Sequence, residues 1–188
     1  GTSADLMDNF VRGFYDFLLE CELRSHVDMH TLRLPHTDTW GLLVRRDNPL
    51  AAKAAVMPED LLDQPLISSR QGVKVGVLGQ WLGDLADEMD VRATYNLPLN
   101  AKFLVRQGIG SAFTYRGLFE ANELSDLAFV PLSPTLESTQ GLVWRKTLPT
   151  RQAQAFLDTL KGLCAERKCL APTPCPALEV DHSEYLHL

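Results

Sequence analysis

Polar side chains that could hold a small molecule come directly after two predicted strands. "PLISSR" (65–70) is typical of a buried strand, and its carboxyl end carries Ser68, Ser69 and Arg70. "VRATY" (91–95) predicts a second strand, which is followed by the start of a helix. The candidate ligand contacts around that junction are Tyr95, Asn96, Leu97, Pro98 and Asn100. Ligands in α/β folds meet strand carboxyl ends and helix amino ends, and hydroxyl and guanidinium groups there suit a carboxylate or phosphate.

Two further candidates stand near the beginning of the chain. Thr2 precedes the first predicted helix, and Glu20 follows the first predicted strand. A Glu20 carboxylate facing the ligand would disfavour an anion. A structural interpretation stays open beside each ligand contact: Thr2 and Asn96 as helix caps, Glu20 as a solvated strand end, and Arg70 as part of a surface turn.

Catalytic and metal-binding patterns are weak in this sequence. No Gly-x-Ser-x-Gly elbow occurs, and no paired acid and base can be named. His26 and His30 have helical metal spacing, but they lie in a predicted loop without a third ligand. Gly108 and Gly110 follow a predicted helix, whereas a dinucleotide fingerprint needs a strand before it and a helix after it. The sequence therefore predicts a binding protein with no catalytic residue, metal or cofactor.

Strands alternate with helices along the chain, which predicts an α/β fold with largely parallel sheets. Helices are expected over 2–13, 73–89, 97–107 and 151–167, and strands over 15–19, 32–35, 39–51, 65–70, 91–95, 109–115, 127–133 and 141–146. Two stretches, 44–61 and 130–144, have the character of crossings between lobes. We therefore expect one lobe from 1–45 with 140–168, a second from 46–139, and an extended or disordered tail over 169–188. Clefts between such lobes hold small ligands.

Composition narrows the class of protein further. Hydrophobic residues make up 45% of the 188 residues and charged residues 22%, which is typical of a globular chain. The net charge of -6 argues against nucleic-acid binding by this piece alone. No apolar run could span a membrane, and no signal peptide is visible. None of the four cysteines has Cys-x-x-Cys spacing, which favours reduced thiols and a cytoplasmic location.

Four segments in a fixed order carry a family resemblance. They are "LRLPHTDTWGLLVRRDNPLA", "MPEDLLDQPLISSRQ", "ATYNLPLNAKFLVRQGIGSAFTY" and "FVPLSPTLESTQGLVWRK". Together they resemble the effector-binding domain of LysR-type transcriptional regulators, from Gly1 to about Arg167. The resemblance implies two Rossmann-like lobes with two crossovers, similar to type 2 periplasmic binding proteins, and an inducer in the cleft.

The sequence departs from that family at its start. Set beside that family, we expect this sequence to lack the winged helix-turn-helix, the linker helix and the first β-α-β unit of lobe I. The resemblance implies a small-molecule effector, a homodimer or homotetramer, and DNA contact only through the missing N-terminal domain. Exposed apolar residues of helices 3–13 and 73–89 are candidates for the pairing surface. The alternatives are a periplasmic solute-binding protein of a transporter, an enzyme on the same fold such as a deaminase or dehydratase, and a fragment without a ligand.

Overall fold

The computed structural model describes residues 3–70, 73–74, 76–119 and 126–166. Its helices are α1 (Ser3–Val11), α2 (Gly76–Leu82), α3 (Pro98–Arg106) and α4 (Arg151–Glu166). Its strands are β1 (Phe17–Glu20), β2 (Met29–Arg45), β3 (Leu66–Ser69), β4 (Val91–Tyr95), β5 (Ser111–Tyr115), β6 (Leu127–Pro131) and β7 (Glu137–Arg145). Short 3-10 turns cover Pro49–Ala52, Pro58–Leu61 and Gly83–Glu88. The expected alternation of strands and helices is confirmed.

The chain divides into two compact units. We call 38–138 the central unit, and 3–37 with 139–166 the terminal unit. The chain passes from one unit to the other inside β2, after residue 37, and inside β7, after residue 138. Thr2 and the tail over 169–188 lie outside the described residues.

The central unit is built on a mixed sheet with the strand order β6-β2-β5-β3-β4. β3 runs parallel to β4 and to β5, whereas β2 runs antiparallel to β5 and to β6. The prediction of largely parallel sheets was therefore only partly right. β3, β4 and β5 run in one direction, and β2 enters the central unit at the edge where these three strands end. β2 therefore runs antiparallel to them.

Apolar side chains cover both faces of the central sheet, because successive residues of a strand point to opposite faces. On one face, Leu66 and Phe113 of the strands pack with Leu78 and Leu82 of α2. On the other face, buried strand residues pack against the inward side of α3. This cluster includes Ile67 and Ala112 of the strands and Ala101 and Val105 of α3. Burial on both faces fixes the strand register, since a one-residue slip would exchange the two faces.

The terminal unit pairs β1 with β7 in antiparallel register, so that Phe17 lies beside Trp144. α1 packs Phe10 against Leu18 and Val143 in a small separate core. α4 lies against the same unit, where the Phe156 ring is 4.9 Å from the Phe17 ring. The expected helices at both ends of the described chain are confirmed.

Several element boundaries differ from the sequence prediction, and three of the differences change an element substantially. β2 is one strand of 17 residues where a loop over 26–30 and two shorter strands were expected. β7 begins at Glu137, four residues before the predicted strand. The helix predicted over 73–89 is interrupted, because Gly83 adopts a φ of 55° and α2 ends at Leu82. Within the described residues, no helix is both long enough and apolar enough to cross a membrane.

Candidate functional site

The strand ends of the central sheet place most of the predicted ligand contacts on one edge. β3, β4 and β5 are parallel, so Ser69, Tyr95 and Tyr115 end their strands at the same edge. α3 begins there with Pro98 in its first turn, where an N–H is not needed. Its N-cap residue is Leu97, which forms no side-chain cap hydrogen bond. The amino end of α3 therefore keeps its favourable potential for a negatively charged or hydrogen-bond-accepting group.

Two buried hydroxyl groups lie at this edge without a partner among the described residues. They belong to Ser68, which is 1% exposed, and to Thr114, which is 2% exposed. Ser68 shares its sheet face with Leu66, and Thr114 shares the opposite face with Ala112, because alternate residues point the same way. A buried hydroxyl without a hydrogen bond costs about 1–3 kcal/mol. Such groups mark positions where a bound molecule could supply the missing partner.

Sequence reasoning identified Ser68 but missed Thr114. The segment "SAFTY" reads as an apolar strand, and a single threonine within it gives no separate signal. Only the parallel pairing of β3 with β5 brings Thr114 to the edge that carries Ser68 and Ser69.

Ser69 and Arg70 continue β3 towards solvent. Ser69 is half-buried and Arg70 is exposed. The Arg70 backbone N–H donates to the Tyr95 carbonyl oxygen at 3.1 Å, which joins the ends of β3 and β4. The backbone of Arg70 is thus fixed beside the carboxyl edge, and its guanidinium group is exposed there.

The predicted ligand contact through the Tyr95 side chain needs correction. Tyr95 is 9% exposed and packs in the core with Ile67 and Val105. Its hydroxyl donates to the Phe113 carbonyl oxygen at 2.8 Å. The phenol therefore serves the core, and position 95 presents only its backbone to the edge.

Asn96, Leu97 and Asn100 are exposed at the start of α3. The alternative that Asn96 caps the helix is wrong, because the cap position belongs to Leu97. Asn96 is exposed at this edge and is not the N-cap of α3. Leu97 is 54% exposed.

Glu20 lies in the terminal unit and has local partners. Its side chain is 13% exposed, and both carboxylate oxygens lie 3.0 Å from His26 Nε2. The Arg24 backbone N–H also donates to Glu20 at 3.2 Å. Glu20 is therefore not a solvated strand end, which had been the alternative to a ligand contact. The contact itself stays a prediction, as does that of Thr2, which lies outside the described residues.

The buried phenol makes a prediction about stability at high pH. Burial raises the pKa of Tyr95 from 10.0 to about 12, because a charge would have to enter the core. A raised pKa contributes stability that is complete below about pH 10 and is lost as the pH rises towards 12. Tyr95→Phe should therefore show a smaller loss of unfolding free energy over this interval, measured by urea denaturation. An identical loss in both proteins would contradict the assignment.

The same substitution has the opposite consequence at neutral pH. Without the phenol, the buried Phe113 carbonyl oxygen loses a donor, and we expect a cost of about 1–3 kcal/mol at pH 7. The two unfolding curves of Tyr95→Phe and the unchanged protein should therefore approach each other as the pH rises.

Comparison with known proteins gives this architecture a family. The family model described as the LysR substrate binding domain matches residues 1–165. No match was found among curated proteins. HinK, a LysR family transcriptional regulator from Pseudomonas aeruginosa, is 19% identical with a TM-score of 0.65, over 86% of this chain and 58% of HinK. This chain thus spans less than two thirds of that regulator.

Two solved effector-binding or regulatory domains have the same fold. The effector binding domain of QuiR, in complex with shikimate, is 13% identical with a TM-score of 0.75, over 88% of this chain and 79% of that one. The regulatory domain of CcmR from Synechocystis PCC6803, in complex with 2-PG, is 17% identical with a TM-score of 0.69, over 86% and 79%. The predicted similarity to type 2 periplasmic binding proteins is confirmed. Because the family model covers nearly all of its length, the chain belongs to the family of LysR substrate-binding domains.

Proposed function

We propose that this chain senses a small polar or anionic metabolite for a LysR-type transcriptional regulator. The metabolite would bind at the carboxyl edge of the central sheet. The observation that carries this proposal is the pair of buried hydroxyls of Ser68 and Thr114, which lack partners among the described residues. Because the two hydroxyls lie on opposite faces of the sheet, a small ligand that hydrogen-bonds one of them would recover the free energy that this unpaired hydroxyl costs the empty domain.

The charges and dipoles at this edge favour a ligand with oxygen acceptors. Arg70 and Arg116 follow β3 and β5 and are both exposed. The uncapped amino end of α3 adds a partial positive charge. A carboxylate or phosphate with neighbouring hydroxyl groups would use all of these features. The ligands held by QuiR and CcmR, shikimate and 2-PG, support a small polar molecule as the class.

The proposed role is regulatory and involves no catalysis. A ligand changes the output of a regulator only if it binds two conformations of the protein with different affinity. DNA would be contacted through a helix-turn-helix domain outside this chain, in the cytoplasm. Lobes with the limits 1–45 with 140–168 and 46–139 remain our proposal for the moving parts. Membership in the LysR family favours this role over that of a solute-binding protein of a transporter.

Pairing of two copies as a homodimer or homotetramer is part of the same proposal. Of the two helices suggested by the sequence, α1 has a well exposed apolar residue in Val11, at 59%. Phe14, just after α1, is 72% exposed. The described large apolar residues of 73–89 are buried or half-buried, which weakens that segment as an apolar contact surface. We therefore place the apolar part of the pairing surface at α1 and Phe14.

A thermal-shift screen followed by calorimetry tests the proposed ligand site. The panel should contain hydroxylated carboxylates, phosphate esters and uncharged polyols as separate groups. For a compound that raises the melting temperature, Ser69→Ala and Asn96→Ala should each weaken binding about 3- to 10-fold, the effect of one lost neutral hydrogen bond. Ser25→Ala, an exposed serine of the terminal unit, and Gln107→Ala, at the far end of α3, are the matched controls. Equal affinity for all four variants would contradict the site, and no binding from any group would contradict the function.

A further inference from the structure

A phenylalanine ring of β6 fills the space that a glycine leaves on β2. Phe129 pairs with Leu43, whose side chain belongs to the buried cluster beneath α3, so Phe129 lies on the face of the sheet that α3 covers. A Cβ at Gly41 would lie 2.1 Å from Phe129 Cζ, which means that the ring packs directly against the Gly41 backbone. Gly41 in turn pairs with Thr114 of β5. The ring therefore lies beside Thr114, one of the two buried hydroxyls without a partner among the described residues.

The guanidinium group of Arg116 lies over the same ring. Arg116 Cζ is 5.2 Å from the centroid of the Phe129 ring, which is within the range of a cation–π interaction. The Arg116 backbone N–H donates to the Thr39 carbonyl oxygen at 2.8 Å, so the main chain is fixed to β2 just beyond the end of β5. Both ends of the Arg116 side chain are therefore restrained, the backbone by β2 and the guanidinium by Phe129.

The charge of Arg116 is oriented by this contact but is not neutralised. Three other arginines of the central unit, Arg45, Arg92 and Arg106, each pair with an aspartate. Within the described part of the chain, Arg116 is exposed and has no carboxylate partner. An aromatic ring carries no net charge and accepts none of the usual guanidinium hydrogen bonds. The N–H donors of Arg116 thus stay free for a carboxylate or phosphate, whose geometry they match.

We propose that Phe129 is a positioning residue, which holds Arg116 as the charge partner of the ligand on the α3 side of the carboxyl edge. The bound group is an oxyanion that accepts hydrogen bonds from the Arg116 guanidinium and the Thr114 hydroxyl. Ser69 alternates with Ser68 along β3, so Ser69 lies on this face of the sheet and Ser68 on the other. The inference rests on the proposed sensing function, and it adds which face, which arginine and which chemical group carry recognition.

NMR of the arginine Nε–Hε groups tests the positioning role in the ligand-free protein. A ring shifts the signals of protons held over its face, so the Arg116 signal should be displaced from those of the other exposed arginines. Phe129→Leu keeps an apolar side chain but removes the ring, and it should return the Arg116 signal to their range. Phe103→Leu is the matched control, because Lys102 Nζ lies 5.3 Å from the centroid of that ring on α3. An Arg116 signal that Phe129→Leu leaves unchanged would overturn the proposal.

Titration with inorganic phosphate and, separately, with acetate tests the binding role, followed at the backbone amides of 115–117. Arg116→Gln should weaken the binding of the anion about 10- to 100-fold, the effect of lost hydrogen bonds to a charged group. Phe129→Leu should weaken it about 2- to 5-fold, the effect of a lost cation–π contact at the surface. Arg92→Gln removes the same charge from an arginine that pairs with Asp90, and it should leave the affinity unchanged. The anion that binds more tightly identifies the class of oxyanion.

Equal anion affinity in Arg116→Gln and the unchanged protein would overturn the proposal, as would amides of 115–117 that respond to neither anion. A metabolite that binds at the carboxyl edge and keeps its affinity in Arg116→Gln would also overturn it, while leaving the sensing function intact. A metabolite panel without any binder contradicts the sensing function itself, so the two failures are distinguishable.

Discussion

Replacing Phe113 by alanine should lower the free energy of unfolding by about 3–5 kcal/mol, the largest effect that we expect from a single substitution in this chain. Phe113 is 1% exposed and packs with Leu42, Leu66 and Leu82 in the larger core of the central unit. The loss combines the apolar surface no longer buried with the cavity left behind. Domains of this size have a total stability of about 5–15 kcal/mol, so the variant would be close to unfolding.

Urea denaturation followed by circular dichroism measures this change directly. Phe103→Ala is the matched control, because the same side chain is 56% exposed on α3. Its contact with Lys102, whose Nζ lies 5.3 Å from the ring centroid, is at the surface, and we expect a cost below about 1 kcal/mol. Similar losses in the two variants would show that the central core is not packed around Phe113.

Gly110→Ala should destabilise the central unit, although it adds only one methyl group. A Cβ at this position would lie 2.5 Å from the Pro65 carbonyl oxygen and 2.8 Å from its carbon. These are backbone atoms, and the next residue, Ser111, donates its N–H to the same oxygen at 2.8 Å. The methyl group could be accommodated only if β5 moved away from the chain entering β3. We expect a loss of about 1–3 kcal/mol in unfolding free energy.

Gly162→Ala should raise the free energy of unfolding, and it serves as the control for Gly110→Ala. Gly162 lies within α4, and a Cβ there would meet nothing within 4 Å. Alanine is a better helix former than glycine, so this variant should gain about 0.5–1 kcal/mol. Thermal unfolding of both variants side by side would decide. A stabilised Gly110→Ala would mean that β5 and the Pro65 turn are further apart than described.

Local signals in the sequence predicted the elements that border the site. Pro98 marked the first turn of α3, and Gly108 marked its end, where it adopts a φ of 72°. The apolar spacing of 151–167 predicted α4 to within a residue. These features depend on interactions between residues a few positions apart, which a sequence pattern records directly.

Features that depend on distant partners were harder to predict. The sequence analysis divided β2 into two strands, because Pro35 and the polar residues around it interrupt the apolar pattern. In the structure, pairing with other strands keeps β2 continuous. Tyr95 was expected at the ligand edge, yet its hydroxyl donates to a carbonyl oxygen 18 residues away. Thr114 was missed because its burial depends on β5 lying between β2 and β3 in the sheet. Direction, register and burial of strands are set by the whole fold.

The site is the part of the structure on which the proposed function depends most. Most of its predicted contacts, including Ser68, Ser69, Arg70, Asn96 and Asn100, fall on one edge of one sheet. The terminal unit holds Glu20, whose carboxylate is engaged by His26. In the proposed sensor, the ligand therefore binds at the carboxyl edge of the central sheet, whether or not Glu20 contributes a contact.

Amide chemical shifts of the protein, recorded while a metabolite identified by thermal shift is added, test the central claim most directly. We expect the largest changes at Ser69–Arg70, at the amides of 96, 97 and 99, and at Tyr115–Arg116, where the strand ends and the start of α3 form the carboxyl edge. Amides at the opposite edge, over 107–111, should change little. Shifts concentrated at 107–111, or in the terminal unit alone, would contradict ligand binding at the carboxyl edge of the central sheet.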